Sequence, residues 1–485
     1  MSKRRIVEFK KSDLTTILDG VKGKTLGQVD TAHVFEKDKP HKGMAGAVIE
    51  RSVLGYDPNS DKNPDIVVDG IPTEVKTTGV RQEGGAYRAK EYLAITNVSI
   101  DEIIHEEFLD SHFWKKLTNY LFVFYHYDSP TRVDYREYAR FEILGWALGA
   151  FTEDQRVELE REWTMVRDYL REAHDSPDPE AAYSKMGSSL RENLRYIDTG
   201  PRYPNTPRFR LKKPFLNAVI DQTLNNTVQQ QLPFAFNKYS DLDAYCHGIS
   251  LRYKGMTVEQ LINVFGIVVK DVNKLNKSIS EQIMVRMFGG EKTKMSSIPK
   301  LAENSVVGKS IVRTVDGRNT EDTKFFTVDF DEMLDADIDF ESSEMFEYFT
   351  NRVFLFMVLQ EANRGQNFKE NIFLGFKRMW FEEDFIYSEV KKCWSDLRKT
   401  AFSGCLRTEI VRDKNGEEII NKNGQPRRRT NFPKKLDHCV FMRGTGGDSN
   451  DVIEIMPGVE TYPNTQIWVD GLVMVRKLDK LEFLR

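Results

Sequence analysis

The sequence predicts an α/β protein with two tandem domains, each a mixed sheet flanked by helices. The chain has 485 residues, more than one ordinary core needs, so two or more domains of roughly 100–200 residues each are expected. In the first third, segments with helical periodicity alternate with short apolar runs typical of strands. Sequence blocks from this part recur in the same order in the second half, which favours a repeated domain.

Composition restricts the possible classes of protein. Apolar residues make up 40% of the chain and aromatic residues 11%, which is enough to bury substantial cores. With 30% charged residues and no long apolar run, a membrane span is not expected. The basic start, MSKRRIVEFKK, lacks the apolar stretch of a secretory signal, so we expect a cytoplasmic location and no membrane partner. The net charge of −4 means that DNA contacts would depend on local basic clusters, such as 210–215 and 427–435.

The four cysteines show neither CxxC spacing nor nearby paired histidines. This pattern argues against a zinc site and against a disulfide framework. We expect four buried thiols, at Cys246, Cys393, Cys405 and Cys439.

The first unit has clear element signals. Residues 8–55 are mainly helical in pattern, and AGAVIERSVLG ends at a glycine, Gly55. The dipeptide Asp69-Gly70 lies between DIVV and PTEVKTT and predicts a hairpin. YLAITNVS and NYLFVFYHY read as strands, 153–173 as a charged amphipathic helix, and 174–210 as ordered loops.

Three blocks of the first unit have counterparts in the second half. KSISEQIMVRMFGG at 277–290 follows the pattern of KGMAGAVIERSVLG, SVVGKSIVRTV at 305–315 takes the place of the hairpin, and EMFEYFTNRVFLFMV at 344–358 parallels SHFWKKLTNYLFVFY. Duplication is the preferred interpretation, and chance similarity of helix–hairpin–strand stretches is the alternative. The predicted organisation is a catalytic domain at 1–225, a linker at 226–255 and a second domain at 256–485.

The chemistry is predicted to centre on Asp65, Glu74 and Lys76. Glu74 and Lys76 alternate along one strand and project from one face, and Asp65 begins the preceding strand and can reach the same end. Two adjacent carboxylates suit a hard divalent cation such as Mg²⁺, whose shell the Val75 carbonyl could complete. Lys76 could orient the attacking water and stabilise developing negative charge.

Alone, an acid followed by Glu-x-Lys is a weak signal, because surface salt bridges explain most such patterns in a highly charged chain. Three further residues strengthen it: Glu50 in an apolar helical stretch, Lys116 just before a buried strand, and Lys42 at the start of the Glu50 helix. A glutamate exposed on the helix surface is the alternative interpretation of Glu50.

These segments closely resemble the MutH mismatch-repair nuclease and the Sau-type GATC-cutting restriction endonucleases, in order and in spacing. The resemblance implies the restriction-endonuclease-like, PD-(D/E)xK fold. It also implies catalytic roles for Glu50, Asp65, Glu74, Lys76 and Lys116, and a DNA contact for Lys42. Glu74 lies nine positions after Asp65, about two more than in MutH, which a longer hairpin turn could absorb. Asp69 is the alternative acid, although its place in the turn already explains it.

The resemblance extends to PRFRLKKPFLNAVI at 207–220, similar to the recognition segment of the family. It implies that Arg202, Arg208 or Arg210 reads a guanine edge, the usual partner of a bidentate arginine. Lys212 would contact a DNA phosphate. A basic strand end that contacts only solvent or backbone phosphate is the alternative for each arginine.

In the second half, Val285 replaces Glu50, Ile311 stands at the position of Glu74, Arg313 replaces Lys76 and Tyr348 replaces Lys116. A copy without its carboxylates resembles the allosteric domain of the Sau-type enzymes, which binds a second DNA site. The resemblance implies DNA contacts there, with Arg443 approaching the backbone. A merely structural second domain would show the same losses.

The expected function is therefore that of a Mg²⁺-dependent type II restriction endonuclease acting on double-stranded DNA, with GATC as the favoured site. Binding of a second DNA site would stimulate cutting, with looping of the DNA. Dimerisation on DNA is also expected, and the expected partner is a cognate DNA methyltransferase of the same system. The alternatives are a partner-dependent nicking repair nuclease, a catalytically silent DNA-binding regulator, and a carbohydrate hydrolase with paired carboxylates.

Overall fold

The computed structural model describes 7–37, 39, 41, 43–58, 63–83, 86–129, 133–191, 193–201, 203–225, 232–234, 236, 238–275, 278–316, 321–336, 338–363, 365–421, 424–444 and 452–485. The chain divides into two compact units, Met1–Gln229 and Gln230–Arg485. No helix in the described part of the chain is both long and apolar enough to cross a membrane.

Unit 1 contains a sheet with the strand order β1-β2-β3-β6-β7, with β4 paired to β3, and a second sheet with the order β5-β9-β8. Within the first sheet, β1 pairs with β2 and β3 pairs with β6 in parallel, and the remaining pairs are antiparallel. The strands are β1 (Val7–Phe9), β2 (Ile66–Val68), β3 (Ile71–Glu83), β4 (Ala86–Ala89), β5 (Leu93–Asn97), β6 (Tyr120–His126), β7 (Ile143–Gly149), β8 (Ile197–Asp198) and β9 (Arg208–Leu211).

Helices cover both faces of the first sheet because β6, an interior strand, is apolar on both sides and buried from Leu121 to Tyr125. One core packs the helices that precede β2, and the other packs those that follow β5. The helices are α1 (Lys11–Val21), α2 (Leu26–Val29), α3 (Val34–Lys37), α4 (Met44–Val48), α5 (Ile100–Ile103), α6 (His112–Leu117), α7 (Glu153–His174), α8 (Pro179–Leu190) and α9 (Lys213–Thr223).

One local prediction for unit 1 is wrong. Residues 174–210 are not all loop, because α8 lies within them, with Asp178 as its N-cap and Pro179 in its first turn. The mainly helical pattern of 8–55 is confirmed by α1 to α4, and Val7–Phe9 adds a short strand to the sheet beside β2. The predicted hairpin, the strands at β5 and β6 and the long helix α7 are all present.

Unit 2 is also mixed α/β, with sheets β10-β12-β13 and β11-β19-β16 and two separate pairs, β14-β15 and β17-β18. Its strands are β10 (Val306–Thr314), β11 (Thr323–Thr327), β12 (Val353–Glu361), β13 (Ile372–Met379), β14 (Thr408–Ile410), β15 (Arg428–Thr430), β16 (Val440–Gly444), β17 (Ile453–Met456), β18 (Val459–Thr461) and β19 (Thr465–Val469). Its helices are α10 (Tyr239–Tyr253), α11 (Val258–Val264), α12 (Ile279–Met287), α13 (Pro299–Glu303), α14 (Phe330–Met333), α15 (Glu344–Asn351), α16 (Glu383–Phe385), α17 (Lys391–Phe402) and α18 (Gly471–Asp479).

The pairing pattern of unit 2 follows that of unit 1. β10 pairs with β12 in parallel and β12 with β13 antiparallel, as β3, β6 and β7 do. Local devices recur as well: Ser111 caps α6 and Ser343 caps α15, each through its hydroxyl and the backbone N–H three residues on. Thr25 and Thr257 each form a capping box with a glutamine.

The boundary of unit 2 differs from the predicted linker at 226–255. Residues Tyr239–Tyr253 form α10, which packs against β13 and holds Arg378 through Asp243 at 2.6 Å. Both α10 and α1 are followed by a glycine with positive φ, Gly255 and Gly23, and then by a capping box. The first helix of unit 2 therefore precedes the expected start of the domain.

The approach to β10 also differs from that to β3. Within 278–316, which the structure describes without a gap, no β-hairpin precedes β10; the chain enters that strand from α13. The block at 305–315 is therefore a strand that a helix precedes, and the predicted equivalence to a hairpin is wrong.

Candidate active site

Strand β3 places Glu74 and Lys76 on one side of the sheet. Its parallel pairing with β6 sets Glu74 opposite Tyr120 and Lys76 opposite Phe122. Side chains two positions apart on a strand share a face, and here they meet: Lys76 Nζ lies 2.5 Å from Glu74 Oε1. The local alternation of residue types is therefore sufficient to bring the acid and the ammonium together.

Lys116 reaches the same carboxylate from the short helix α6. The Ser111 cap fixes the start of this helix, and the chain then passes directly into β6, the neighbour of β3. As a result, Lys116 Nζ lies 3.0 Å from Glu74 Oε1. One carboxylate oxygen thus accepts from two ammonium groups.

The hairpin between β2 and β3 brings Asp65 to this site. Ile66 pairs with Thr73, so one further step of the same register sets Asp65 opposite Glu74, on the same face. Asp65 Oδ2 accepts a hydrogen bond of 3.0 Å from the Val75 N–H. Asp69 and Gly70 both have positive φ, as a two-residue type I′ turn requires.

The turn accounts fully for Asp69. Its carboxylate accepts the Lys11 N–H at 3.1 Å and its own N–H donates to the Phe9 carbonyl. Asp69 therefore serves to close the turn and to attach β1, in agreement with the lesser role expected for it.

The carboxylate of Glu74 is almost completely buried, at 1% exposure. Burial raises the pKa of Glu74; Lys76 and Lys116 lower this pKa, and the charge of Asp65 raises it. Glu74 Oε1 is occupied by the lysines, but Glu74 Oε2 is buried and has no hydrogen-bond partner among the described residues. Such an orphaned carboxylate oxygen beside a second acid is the donor set that a divalent cation would complete.

The donor set is small. Across the described ranges, no group of three or more His, Cys, Asp or Glu side chains is placed to hold a metal ion. A cation at this site would therefore have the two carboxylates, Asp65 and Glu74, and a backbone carbonyl such as that of Val75 as protein ligands.

Glu50 lies in a five-residue π-turn, Ile49–Val53, that continues α4. Glu50 is half-buried, so it is neither fully in the core nor fully exposed to solvent. The inserted residue of a π-turn changes the direction of the side chains that follow, which the helical periodicity of AGAVIERSVLG could not indicate. Lys42 lies outside the described residues.

Residues 54–158 match the family model described as DNA mismatch repair enzyme MutH. Unit 1 contains a MutH-family domain. The match includes Asp65, Glu74, Lys76 and Lys116 and ends before β9, so it covers the core of the site and less than a quarter of the chain. No curated protein matches the sequence. The match to this family suggests an endonuclease that acts on DNA.

Outside the matched part of the MutH-family domain, β9 carries the two arginines that the structure describes in the expected recognition segment. Arg208 is exposed and its guanidinium makes no hydrogen bond or ion pair with a described residue. Arg210 is bound at both ends of its fork to Asp198, at 2.7 Å each, and lies over the Tyr92 ring. Arg208 is therefore the arginine available to a base edge, whereas Arg210 is occupied. Arg202 lies outside the described residues.

Lys212 does not have the position expected for a phosphate contact. Its side chain is 2% exposed and its ammonium donates to the Leu194 carbonyl at 2.6 Å. Lys212 lies beyond β9 as the N-cap residue of α9, whose first turn is buried, so the alternation that places Phe209 and Leu211 in the core does not govern its side chain.

Sequence reasoning missed Glu162, which lies on α7 and is completely buried. Its carboxylate accepts the backbone N–H groups of Arg195, Tyr196 and Ile197 at 2.6–3.1 Å. Burial raises the pKa of Glu162 to about 7. A glutamate in a highly charged helix gave no signal of this role, although its neighbour Trp163 marks the buried face of α7.

In unit 2, strand register corrects the residues expected to replace the acids. The parallel motifs align Leu121 with Val353; Leu121 pairs with Val75, and Val353 pairs with Val306. Ser305 and Val307 thus stand where Glu74 and Lys76 stand in unit 1, and the assignment to Ile311 and Arg313 is wrong by six positions. Tyr348 does occupy the position of Lys116, and its hydroxyl donates to the Phe325 carbonyl.

Unit 2 also contains a polar cleft of about 900 Å³ whose basic lining residues are Arg427, Arg428, Arg429, Lys434 and Arg443. Arg443 is 45% exposed, pairs with Asp322 at 2.9 Å and stacks near Trp468. Arg427 and Lys434 are exposed, and neither forms an ion pair with a described residue.

The cysteines follow the expectation only in part. Cys246 and Cys393 are buried and Cys439 is partly buried, but Cys405 is exposed in the loop after α17. All four are free thiols.

Proposed function

We propose that this protein is a Mg²⁺-dependent, site-specific endonuclease that cuts double-stranded DNA with Asp65, Glu74, Lys76 and Lys116. The proposal rests on one observation above others. Glu74 is buried with one oxygen held by two lysines and the other without any hydrogen-bond partner. A surface salt bridge, the simplest alternative, would not leave a buried carboxylate oxygen unsatisfied.

A divalent cation bound by Asp65 and Glu74, with the Val75 carbonyl, would supply positive charge at the scissile phosphate and lower the pKa of water. Lys76 and Lys116 both contact Oε1 of the Glu74 carboxylate, which leaves Oε2 for the proposed cation. They hold it in one orientation and can stabilise negative charge that develops on the phosphate. Glu50, in its π-turn, is proposed as a supporting acid, and Lys42 as a DNA contact.

Specificity is proposed to reside on β9. Arg208 is exposed and its guanidinium pairs with no described residue, so it is the preferred reader of a guanine edge. The resemblance of the chain to the GATC-cutting family makes GATC the first site to test. Arg210 would need to leave Asp198 before it could contact a base.

Unit 2 is proposed to be a catalytically silent copy that binds a second DNA site. Its parallel–antiparallel strand pattern, Ser343 cap and Thr257 capping box all follow unit 1, while Ser305 and Val307 provide no carboxylate. The basic cleft lined by Arg427 and Lys434 supports DNA binding. Stimulation by the second site, looping and dimerisation on DNA belong to the same proposal.

The decisive experiment incubates the purified chain with unmethylated and GATC-methylated plasmid, in Mg²⁺ or in EDTA, and sequences the cut ends. We expect double-strand cuts at one short sequence, only with Mg²⁺. Glu74→Gln should abolish them, and Asp69→Asn, in a turn position that asparagine tolerates, should not. Cuts that survive Glu74→Gln would contradict the assignment of Glu74 to the active site. The absence of cuts in any unmethylated plasmid would contradict the proposed cleavage and favour a DNA-binding regulator. Cutting of one strand only would favour a nicking repair nuclease.

A further inference from the structure

A second cluster of polar side chains lies in unit 1 beside the Glu74 carboxylate. A cleft of about 510 Å³ is lined by residues that include Asn97, Glu102, Glu106, His112 and Lys116. Lys116 is the link between the two, because its ammonium lies in the cleft lining and donates to Glu74 Oε1. The cleft therefore opens next to the proposed catalytic carboxylate.

His112 is the first residue of α6 and lies one helical turn before Lys116, so both side chains project from the same face of the helix. Its Nδ1 contacts the Glu106 carboxylate, and the imidazole is about one third exposed. No hydrogen bond joins His112 Nε2 to a described residue. A carboxylate on Nδ1 fixes the ring and leaves the Nε2 lone pair directed outward, the arrangement in which histidine accepts a proton.

Hydrolysis needs such an acceptor, because the attacking water must lose a proton. Lys76 and Lys116 both act as donors to Glu74 in this structure, and Glu74 and Asp65 face the proposed cation. Histidine is the side chain that most readily accepts and releases protons near neutral pH.

We propose that His112 is a further catalytic residue of the proposed nuclease, and that its Nε2 takes up the proton of the attacking water. This inference depends on the proposed DNA cleavage. The water oxygen bonds to phosphorus, the bond from phosphorus to the leaving oxygen breaks, and that oxygen takes a proton from solvent. His112 then returns its proton to solvent, and Glu106 stabilises the imidazolium in between.

The charged groups around His112 fit this role. Glu102 of α5 and Glu106 supply negative charge, Lys115 and Lys116 lie on its own helix, and the Arg167 guanidinium of α7 donates to the Glu106 carbonyl at 3.4 Å. β5 and β9 contribute uncharged lining, including Asn97 and Phe209. In unit 2, the position equivalent to His112 is Glu344, as Tyr348 is to Lys116. Unit 2, which has Ser305 at the position of Glu74, therefore also lacks counterparts of His112 and Lys116.

The test measures single-turnover cleavage by the full chain from pH 5.5 to 9. His112→Asn keeps a donor near the Nδ1 position for Glu106 but removes Nε2. The control is His105→Ala, on an exposed histidine next to Glu106 in the turn after α5. We expect wild-type rates to rise with pH and level off, and His112→Asn to be about 100-fold slower with that rise lost. DNA affinity and thermal stability should stay near those of wild type.

Glu106→Gln should leave a slower enzyme, because the ring loses the carboxylate that holds its Nδ1. If His112→Asn keeps the wild-type rate within about threefold, or keeps the same rise with pH, the assignment of His112 is wrong. If His112→Asn lowers the melting temperature together with the rate, His112→Gln provides the second measurement. Its cleavage rate must then also fail to rise with pH. Wild-type protein that cuts no DNA would instead overturn the proposed function.

Discussion

At the scale of single residues, the site depends on an uneven distribution of partners around Glu74. One oxygen accepts from two lysines, and the other is buried without a partner. Hydrogen bonds to a charged group are stronger than neutral ones, so the lysines fix the rotamer of Glu74. The unsatisfied oxygen then costs free energy until a ligand occupies it.

The first prediction concerns that oxygen. Glu74→Gln should lower the cleavage rate by roughly 10²–10³-fold or more, because it removes a charge on which the cation depends. Mg²⁺ should raise the melting temperature of the wild type and leave that of Glu74→Gln unchanged, which differential scanning fluorimetry measures. Equal Mg²⁺ stabilisation of both proteins would place the cation elsewhere.

The second prediction concerns specificity. The relevant ratio is cleavage at the cognate site divided by cleavage at a site in which one guanine is replaced. Arg208→Ala should lower this ratio about 10–100-fold, because one bidentate contact contributes about 1–3 kcal/mol. Lys212→Ala should not change this ratio, since the Lys212 side chain is buried. Competitive cleavage of two oligonucleotides gives the ratio directly, and an unaltered ratio in Arg208→Ala would remove this arginine from base reading.

At the scale of elements, the local sequence predicted what short-range physics determines. The Asp69-Gly70 turn, the alternation of Glu74 and Lys76 and the apolar run of β6 each follow from a few adjacent residues. Contacts between distant segments were not readable. Examples are Lys212 turned into the core, Glu162 beneath the backbone of 195–197, and the register of β10. Each of these depends on tertiary packing that one sequence does not reveal.

The third prediction concerns the hairpin turn. Gly70 has a φ of +79°, which an alanine adopts only with strain. Gly70→Ala should therefore destabilise unit 1 by about 1–2 kcal/mol and reduce Mg²⁺ affinity, because the turn aligns Asp65 with Glu74. Urea unfolding with Asp69→Asn as the matched control would measure it, and equal stability of the two variants would contradict the argument.

The fourth prediction concerns α14 in unit 2. Burial raises the pKa of Glu332 to about 8, and Glu344, Asp329 and Glu347 add to the effect. The folded state thus binds a proton that the unfolded chain releases near pH 4.5, so this group stabilises the fold at low pH and loses that contribution as pH rises towards 8. Glu332→Gln should raise the melting temperature at pH 8 and leave it nearly unchanged at pH 5. The control is Asp331→Asn in the same turn, which should show no such pH dependence.

At the scale of the whole molecule, the two units share strand pairing and capping devices but differ in chemistry. The pair Trp163 and Arg167 on α7 has a counterpart in Trp394 and Arg398 on α17, each with the guanidinium over the indole ring, at 5.3 and 4.4 Å. Unit 2 thus has a counterpart of this packing pair but no counterpart of Glu74. This agrees with the proposal that unit 1 cuts DNA and unit 2 binds it.

The fifth prediction tests that division. Arg427→Ala combined with Lys434→Ala should remove the faster cutting of two-site over one-site plasmids and leave one-site cutting unchanged. Lys270→Ala, an exposed lysine of unit 2 outside the cleft, is the control. A fall in one-site cutting as large as that in two-site cutting would assign these residues to the primary DNA contact instead.

The helix that leads into β10 has an evolutionary consequence. In unit 1, the second acid comes from a strand that the turn folds back onto β3, whereas in unit 2 the chain arrives through α13. A glutamate in place of Ser305 would add one carboxylate, but within 278–316 no hairpin strand carries a second acid opposite it. If unit 2 is the proposed binding copy, no single substitution at Ser305 would recreate the pair of acids, and this protects the proposed division of labour against an unregulated second cut.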